Sequence, residues 1–346
     1  MKIKTILLAL LIATVFCGNQ ALFASAPRLG SAGAVELTIP MGARNVGLAG
    51  SNIANVQGVE SIYWNPAGLS RINDTEVGFT YLNYFADMNI SYLALGKNVG
   101  SLGVLGFSFQ AFDIGEIPVT TIEVPEGTGE IIKPMYMTLD ATYSKKFTDR
   151  IHFGVNAKYV MEKIGDMSAN AVGFDFGLQY TSPMGVDFGV ILKNIGTEIQ
   201  FSGTGIEFDS DVQWANPNAT TRKTVLDMAS NELPTSMALG LAYTYDIDEV
   251  NAVNLCGLYE NNAFNFEQIA VGAEYGFHKM FYGRVGYSIP LYPEDYPEDV
   301  KEYQYGLTLG FGAHMLFNGR TIMFDYAYRD MDIFDAQQYI GLTISM

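Results

Sequence analysis

The chain has 346 residues and a formal net charge of −17, and only 16% of its residues are charged. Average soluble domains carry about 25% charged residues, so this surface is short of charge. The negative net charge disfavours nucleic acid as a partner. The 36 glycines, 21 tyrosines and 22 phenylalanines favour an all-β protein with tight turns. The length allows two soluble domains or one large barrel.

The first residues have the features of a secretory signal peptide. Two lysines precede an apolar run at 6–16, which has about the length of a signal core. The run is too short to be a membrane-spanning helical anchor. Small residues at Ala21 and Ala24 give two candidate cleavage sites. The sequence therefore predicts a signal peptide over residues 1–24.

Cysteine usage argues against stabilisation by an internal disulfide. Cys17 lies within the predicted signal peptide, and the bulky Phe16 before it makes a poor lipoprotein site. Cys256 then remains alone in the exported protein. No later segment holds the roughly 18 apolar residues that a transmembrane helix requires.

From Thr75 onward, segments of about ten alternating residues recur between turns. In 269–277, for example, Ile, Val, Ala, Tyr and Phe alternate with small or polar residues. Because strand side chains switch faces at every residue, one face is apolar and the other is small or polar. Alternation is weakest in the second and ninth segments. The fourteen predicted strands are 76–85, 89–97, 101–111, 134–147, 150–164, 169–181, 185–195, 234–246, 250–260, 265–278, 281–289, 302–315, 320–329 and 336–346.

The connections alternate in length. Those after even-numbered segments are short, and the long ones follow segments 3, 7 and 11, at about 112–133, 196–233 and 290–301. Long loops at one end of a sheet and tight turns at the other are typical of an outer-membrane barrel.

The alternative is a soluble β-sandwich or barrel whose apolar face points inward. Glycine, however, crowds the other face, and solvent-facing strand positions seldom favour it. An interior that admits another piece of chain does favour it. The positions are Gly154, Gly173, Gly177, Gly240, Gly272, Gly286, Gly306, Gly310 and Gly341. We therefore predict an all-β fold, a 14-stranded antiparallel transmembrane β-barrel over 75–346, in the outer membrane of a Gram-negative-type bacterium. The last strand resembles the signal of bacterial barrel assembly, with Met346 in place of the usual terminal aromatic.

Fourteen strands enclose more space than their own side chains fill. The candidate occupant is segment 25–74, which is rich in small residues and lacks alternation. It predicts a short helix at 41–54 and another turn or two at 60–69. Within it, a compact strand-breaking motif predicts a corner of an N-terminal plug, or hatch, inside the lumen. The motif comprises Trp64, Asn65, Pro66, Ala67 and Gly68.

The stretch GARNVGLAGSNIANVQGVESIYWNPAGLSRI resembles the plug of the FadL-like outer-membrane proteins, and is most similar to that of the PorV/PorQ branch. The resemblance implies a fourteen-stranded barrel with an N-terminal hatch. PorV-like members bind or dock exported proteins in type IX secretion. The implied partners are therefore outer-membrane lipid and secreted proteins or components of the secretion machinery. Classical FadL-like members pass long-chain fatty acids or other hydrophobic small molecules, and this is the alternative. The loops here leave little room for the large ligand-capturing helices of those transporters.

The sequence carries no catalytic pattern. His152, His278 and His314 lie on separate segments without metal-ligand spacing. Neither a Gly-x-Ser-x-Gly motif nor a P-loop occurs. We therefore expect a protein that is not an enzyme and needs no cofactor.

Charged residues of both signs fall on the predicted lumen face. They are Asp140, Lys158, Glu162, Asp175, Asp187, Lys193, Glu274, Arg284, Asp325 and Arg329. We interpret them as groups that hydrate the lumen and hold the plug through Arg44, Asn52 or Asn65, because buried charges require partners. The alternative is a solute pathway. The acidic loops at 116–130 and 291–302 are either solvated outer surface or Ca²⁺ sites.

Overall fold

The computed structural model describes residues 28–210, 222–292, 305–332 and 334–346. Fourteen antiparallel strands follow one another around a closed barrel, and β1 pairs with β14 to complete the wall. Strands β1 to β14 are Thr75–Asn83, Asn89–Asn98, Val104–Asp113, Met135–Lys146, Ile151–Ile164, Met167–Thr181, Val186–Gly196, Ser236–Asp246, Ala252–Asn262, Glu267–Phe277, Phe281–Leu291, Tyr305–Phe317, Arg320–Met331 and Gln337–Ser345. The predicted fold is confirmed, including the weakly alternating segments that form β2 and β9.

The two faces of the wall differ as the period-2 pattern requires. On β1 and β2 the outward side chains include Phe79, Tyr81, Leu93 and Leu95, all of them exposed. Their neighbours in sequence point inward and are buried. An outward apolar band of this kind is the surface that an outer-membrane barrel presents to lipid.

The helices of the described part of the chain are all too short to cross a membrane.

The connections match the predicted asymmetry. The β12–β13 connection is the two-residue turn Asn318–Gly319, and both residues have positive φ, 50° and 77°, as tight hairpins require. At the opposite end, loops 114–134 and 197–235 contain short strands of their own. These pair as Ile117–Pro118 with Ile131–Ile132, and Glu207–Ser210 with Arg222–Val225. The third predicted long loop, at 290–301, lies almost wholly outside the described residues.

Residues 28–74, called the N-terminal segment below, contain four short helical turns. These are the 3₁₀ turn Val35–Thr38, helix α1 at Ala43–Val46, helix α2 at Ser61–Trp64 and the 3₁₀ turn Pro66–Arg71. The helix predicted over 41–54 is wrong in length. Gly42, Ala49 and Gly50 have φ of 94°, 53° and 72°, so the backbone is left-handed on both sides of α1. A right-handed helix cannot continue through such residues.

The N-terminal segment runs from one end of the barrel to the other. Near its start, the amide of Gly33 donates to the carbonyl of Glu232 in the 197–235 loop. Near its end, the amide of Asn98 at the short-turn end donates to the carbonyl of Asp74. The segment thus enters at the long-loop end and joins β1 at the short-turn end.

The loop asymmetry predicts the orientation in the membrane. In a Cys256→Ser background, Thr204→Cys lies in a long loop, and we expect a membrane-impermeant maleimide to label it on intact cells. Asn318→Cys lies in a tight turn and should react only after the outer membrane is opened. Labelling of position 318 alone on intact cells would reverse the orientation.

Candidate functional site: the interior of the barrel

The N-terminal segment approaches the wall most closely at glycines. At these positions an added Cβ would lie no more than 3.3 Å from an atom of the segment, so a side chain would displace it. The glycines are Gly78, Gly96, Gly106, Gly154, Gly177, Gly189, Gly240, Gly272, Gly286, Gly310 and Gly341. Most of the glycines that the sequence pattern singled out are in this set. Gly173 and Gly306 are not, because they lie against Leu233 and Tyr287.

The Trp64–Gly68 motif forms a tight corner against β5 and β6. The Asn65 side-chain oxygen accepts from the amide of Ala67 at 3.2 Å and caps the 3₁₀ turn, with Pro66 at its first position. The Asn65 amide group donates to the carbonyl of Ile53 at 3.0 Å and to that of Leu178 in β6 at 3.2 Å. One side chain therefore closes the turn, joins two parts of the N-terminal segment and binds the wall.

Trp64 is fixed by a hydrogen bond and by a cation. Its indole N–H donates to the carbonyl of Met41 at 2.6 Å, which holds α2 against the start of α1. The ammonium group of Lys193, on β7, lies 4.3 Å from the ring centre of Tyr63 and 5.2 Å from that of Trp64. Aromatic faces attract a desolvated ammonium group in this geometry. The predicted lumen residue Lys193 thus contacts the plug motif directly.

Four charged side chains form a network near α1, in which three are buried and Arg44 is partly exposed. Arg44 binds Glu274 on β10 through two contacts, Nη2 to Oε1 at 2.8 Å and Nε to Oε2 at 3.1 Å. The same carboxylate accepts from Arg284 Nε at 2.5 Å, and Arg284 Nη1 reaches Asp325 Oδ1 at 2.6 Å. The backbone amide of Arg44 donates to Glu60 at 3.2 Å. Burial raises the pKa of that Glu60 carboxyl to about 7. Predicted lumen charges on three strands thus meet the N-terminal segment here.

A second group of charges lies on the wall at β4, β5 and β6. Lys158 Nζ binds Asp175 at 2.8 Å and the side chain of Asn194 at 2.7 Å. Asp140 accepts from Ser108 at 2.6 Å. Asp175 also accepts from the backbone amide of Asn194 at 2.8 Å, where the β6–β7 register shifts. These contacts join strands to one another. The last predicted lumen charge, Arg329, lies on β13 opposite Gln337 of β14, toward the long-loop end.

Sequence reasoning missed several polar wall residues that bind backbone groups of the N-terminal segment, and three of them show the pattern. Glu76 accepts from the amide of Val59 at 2.8 Å. Gln179 donates to the carbonyls of Ile53 at 3.1 Å and Val56 at 2.9 Å. Ser144 donates to the carbonyl of Ala67 at 3.0 Å. All three occupy inward positions of alternating strands. A polar residue at an inward position was the feature of the sequence that could have identified them.

The interior shows one serine–histidine contact, between Ser70 Oγ and His152 Nδ1 at 2.6 Å. The same hydroxyl donates to the carbonyl of Ala67 at 2.8 Å, so its proton is already engaged. Within the described residues, His, Cys, Asp and Glu side chains do not form a group of three suited to a metal ion.

The sequence also matches a known protein family. The family model described as type IX secretion system protein PorV matches residues 28–261. The chain belongs to the PorV family. The match begins with the N-terminal segment and continues into β9, so it covers the segment and most of the wall but ends before Glu274, Arg284 and Asp325. No curated protein sequence matches this PorV-family chain.

Solved structures with the same fold are outer-membrane channels and their relatives. The monoaromatic hydrocarbon channel CymD is 12% identical with a TM-score of 0.53, and the match covers 89% of this chain and 97% of that one. A mutant of the monoaromatic hydrocarbon channel TodX is 13% identical with a TM-score of 0.55, covering 88% and 98%. A FadL homologue from Pseudomonas aeruginosa is 11% identical with a TM-score of 0.52, covering 88% and 97%. At these identities the likeness establishes the fold alone.

Gly177 tests the contact between the N-terminal segment and the wall. In Gly177→Val, the new Cβ would overlap Asn65 and Pro66, so we expect the corner to be displaced while the strand ladders stay paired. The variant should remain a heat-modifiable barrel but conduct more ions in planar bilayers than the wild type. Gly257→Val is the matched control, because its Cβ meets nothing within 4 Å. Equal conductance in the two variants would contradict the close contact at Gly177.

Glu274 tests the buried charge network. Glu274→Gln leaves Arg44 and Arg284 facing a neutral group, and removing one partner of a buried pair typically costs about 3–5 kcal/mol. We expect the free energy of unfolding, measured by denaturant titration in detergent, to fall by that order. Glu249→Gln, in an exposed turn, should leave it within about 0.5 kcal/mol. If the free energy of unfolding is the same in Glu274→Gln as in the wild type, the arginines do not depend on this carboxylate.

Proposed function

We propose that this protein docks exported proteins at the outer surface of the outer membrane, as a type IX secretion component of the PorV kind. Membership of the PorV family supports this, and the observation that carries it is a set of exposed apolar side chains on the loop between β3 and β4. They are Ile117, Ile122, Val124 and Ile131. Exposed apolar groups clustered on one element mark sites of protein interaction.

The loop is held in a defined shape. The amide of Val119 donates to the carbonyl of Glu130 at 2.9 Å, and the amide of Thr128 donates back to the carbonyl of Val119 at 2.8 Å. Ile122, near the tip, is completely exposed. A hairpin that keeps apolar side chains in solvent offers a partner a binding surface that needs little further ordering.

The next long loop adds apolar surface at the same end. Phe208, Val225 and Leu226 are all exposed on the 197–235 loop. Strands β5 and β6 have 14 and 15 residues, more than the 9–11 that cross a bilayer. This part of the wall therefore extends beyond the lipid, and Ser202–Gly203 of the 197–235 loop pair with the start of β6 there.

We also propose that residues 25–74 act as a plug, of which 28–74 are described, after a signal peptide at 1–24 that lies outside the described residues. Support comes from the wall glycines that lie against the N-terminal segment, from the four hydrogen bonds of the Asn65 side chain and from the Arg44–Glu274 pair. In this proposal one set of lumen charges holds the plug in place, and these are Glu274, Arg284 and Asp325. Another set joins strands of the wall to one another, and these are Asp140, Lys158 and Asp175.

The second candidate, a conduit for hydrophobic molecules, has less support. A cavity of about 490 Å³ lies between the β1–β2 and β13–β14 connections. Its lining is half polar, from Asn83, Asp87, Asp335 and Gln338, and half apolar or aromatic, from Tyr84, Phe85, Ala86 and Ala336. A site for fatty acids or hydrocarbons is lined mainly by apolar and aromatic groups with few polar ones, so this mixed lining fits such a ligand less well.

The docking proposal is tested at the loop tip. The double substitution Ile122→Ser and Val124→Ser removes apolar surface without changing loop length. We expect it to reduce recovery of exported proteins that co-purify with the barrel from detergent-extracted outer membranes by about tenfold. Glu123→Gln lies between the two positions and is the matched control, and it should leave recovery unchanged.

A transport measurement separates the two candidates. Under the docking proposal, uptake of a labelled long-chain fatty acid or alkane is the same with and without the protein. Uptake that depends on the protein and survives the double loop substitution would contradict docking and support the conduit.

A further inference from the structure

Two buried carboxyl groups face each other where the N-terminal segment enters the barrel. Glu36, in the 3₁₀ turn Val35–Thr38, is only 2% exposed, and neither oxygen of its carboxyl group accepts a hydrogen bond from another described residue. Its own backbone N–H is near enough to favour the ionised form slightly. Glu162, on β5, is 6% exposed and shares its inward face with Val160, which packs with Ala34 and Leu37 on either side of Glu36. This places the two carboxyl groups next to each other, and the Glu162 charge acts on Glu36. The Glu162 carboxyl group also faces the backbone N–H of Ala34.

The surroundings of this pair are apolar. Ala34 and Leu37 of the N-terminal segment pack with Val160 of β5, and the cluster includes Ala169 and Ala171 of β6 and Ile199 and Leu233 of the loop. On β4, Tyr136 lies opposite Glu162 and within range of both charges. On β5, Lys158 occupies the same face four residues from Glu162, but it is bound to Asp175 and Asn194. None of these contacts gives the pair a cation.

Two adjacent carboxylates in an apolar site do not both ionise, because each charge raises the energy of the other and burial removes the solvent that would stabilise them. A proton placed between them relieves the repulsion and supplies the missing donor. We propose that Glu36 and Glu162 share one proton and thereby form a pH-sensitive latch, which holds the start of the N-terminal segment against β5 at the long-loop end.

The sign of the pH dependence follows from the proton count. Burial, with the adjacent Glu162 charge, raises the pKa of Glu36 from its ordinary value of 4.5 to about 8. At a pH between these two pKa values, the carboxyl pair of the closed latch holds a proton that it lacks in the open form. Rising pH therefore favours opening by about tenfold per pH unit from roughly pH 5 to pH 8, and has little further effect above that.

The latch is local. Deeper in the barrel, the segment is held by Arg44 with Glu274 and by Asn65 with Leu178. These contacts do not involve Glu36, so opening at Glu36 frees the stretch near residues 34–39 and leaves the corner at Trp64–Gly68 in place. A change of external pH would thus alter the outer mouth without emptying the barrel.

Hydrogen–deuterium exchange of the full-length protein in detergent tests the proposal. We expect the protection factor of peptides covering 34–39, corrected for intrinsic exchange, to fall about a hundredfold or more between pH 5 and pH 8 and then to level off. Protection of peptides covering 61–71 should change little over the same range.

Substitution of either carboxyl group should flatten the profile. In Glu162→Gln the amide donates to Glu36, so no shared proton is needed, and Glu36→Gln is the reciprocal case. Glu123→Gln, in an exposed loop, is the control and should keep the wild-type profile. Heat-modifiable migration confirms that each variant is folded.

Three outcomes would overturn the latch. One is a wild-type profile in both Glu162→Gln and Glu36→Gln. Another is protection of 34–39 that does not vary with pH in the unaltered protein. The third is protection at neutral pH that requires Ca²⁺ and is lost on adding a chelator, because a bound cation would then occupy the place assigned to the proton. None of these measurements depends on whether the protein docks exported partners.

Discussion

The close approach of Asn65 and Pro66 to the wall is the constraint on which the interior depends. Gly154 and Gly177 are register partners on β5 and β6, so two side-chain positions are empty side by side and the chain can reach the strand backbone there. Asn65 fills this space and donates to the carbonyls of Ile53 and Leu178 at once. The paired Gly189 and Gly240, on β7 and β8, then receive Ile53 and Ala54. Backbone contact at one corner thus fixes the path of the chain on either side of it.

The ion-pair network also helps to fix where the N-terminal segment lies along the wall. Arg44 shares Glu274 with Arg284, and Arg284 continues to Asp325, so α1 is matched to β10, β11 and β13 at one place only. Buried ion pairs add little net stability, because desolvation offsets much of the attraction, but a misplaced partner is strongly unfavourable. The network therefore fixes the position of α1 relative to the strands of the wall. The apolar contacts of Ile53, Ile62 and Leu69 supply the burial.

Features of the fold that repeat along the chain could be predicted from the sequence, whereas most features that occur once could not. The fourteen strands and the two kinds of connection were predictable because period-2 alternation and turn residues recur along the whole wall. Interior glycines were also a usable signal.

The helix near α1 was predicted too long. The left-handed conformations of Gly42, Ala49 and Gly50 are set by contacts with other parts of the chain. Gly50, for example, lies against the Trp64 ring. Arg44 was expected to hold the interior, but its partner Glu274 lies 230 positions away, and no local pattern encodes that pairing. Gln179 and Glu76 were missed for the same reason.

The path of the N-terminal segment has a consequence for biogenesis. The segment traverses the barrel before β1 begins, and β1 is joined laterally to β14, which lies far away in the sequence. The wall is therefore an open, curved sheet until β14 has been made and has reached β1. Pairing of Thr75–Asn83 with Gln337–Ser345 seals it, and these are the contacts with the greatest sequence separation in the wall. Such distant contacts form slowly. A segment that already lies in the concave side of the sheet when that seam closes does not have to be threaded through the finished barrel. Sealing the seam thus traps the enclosed chain.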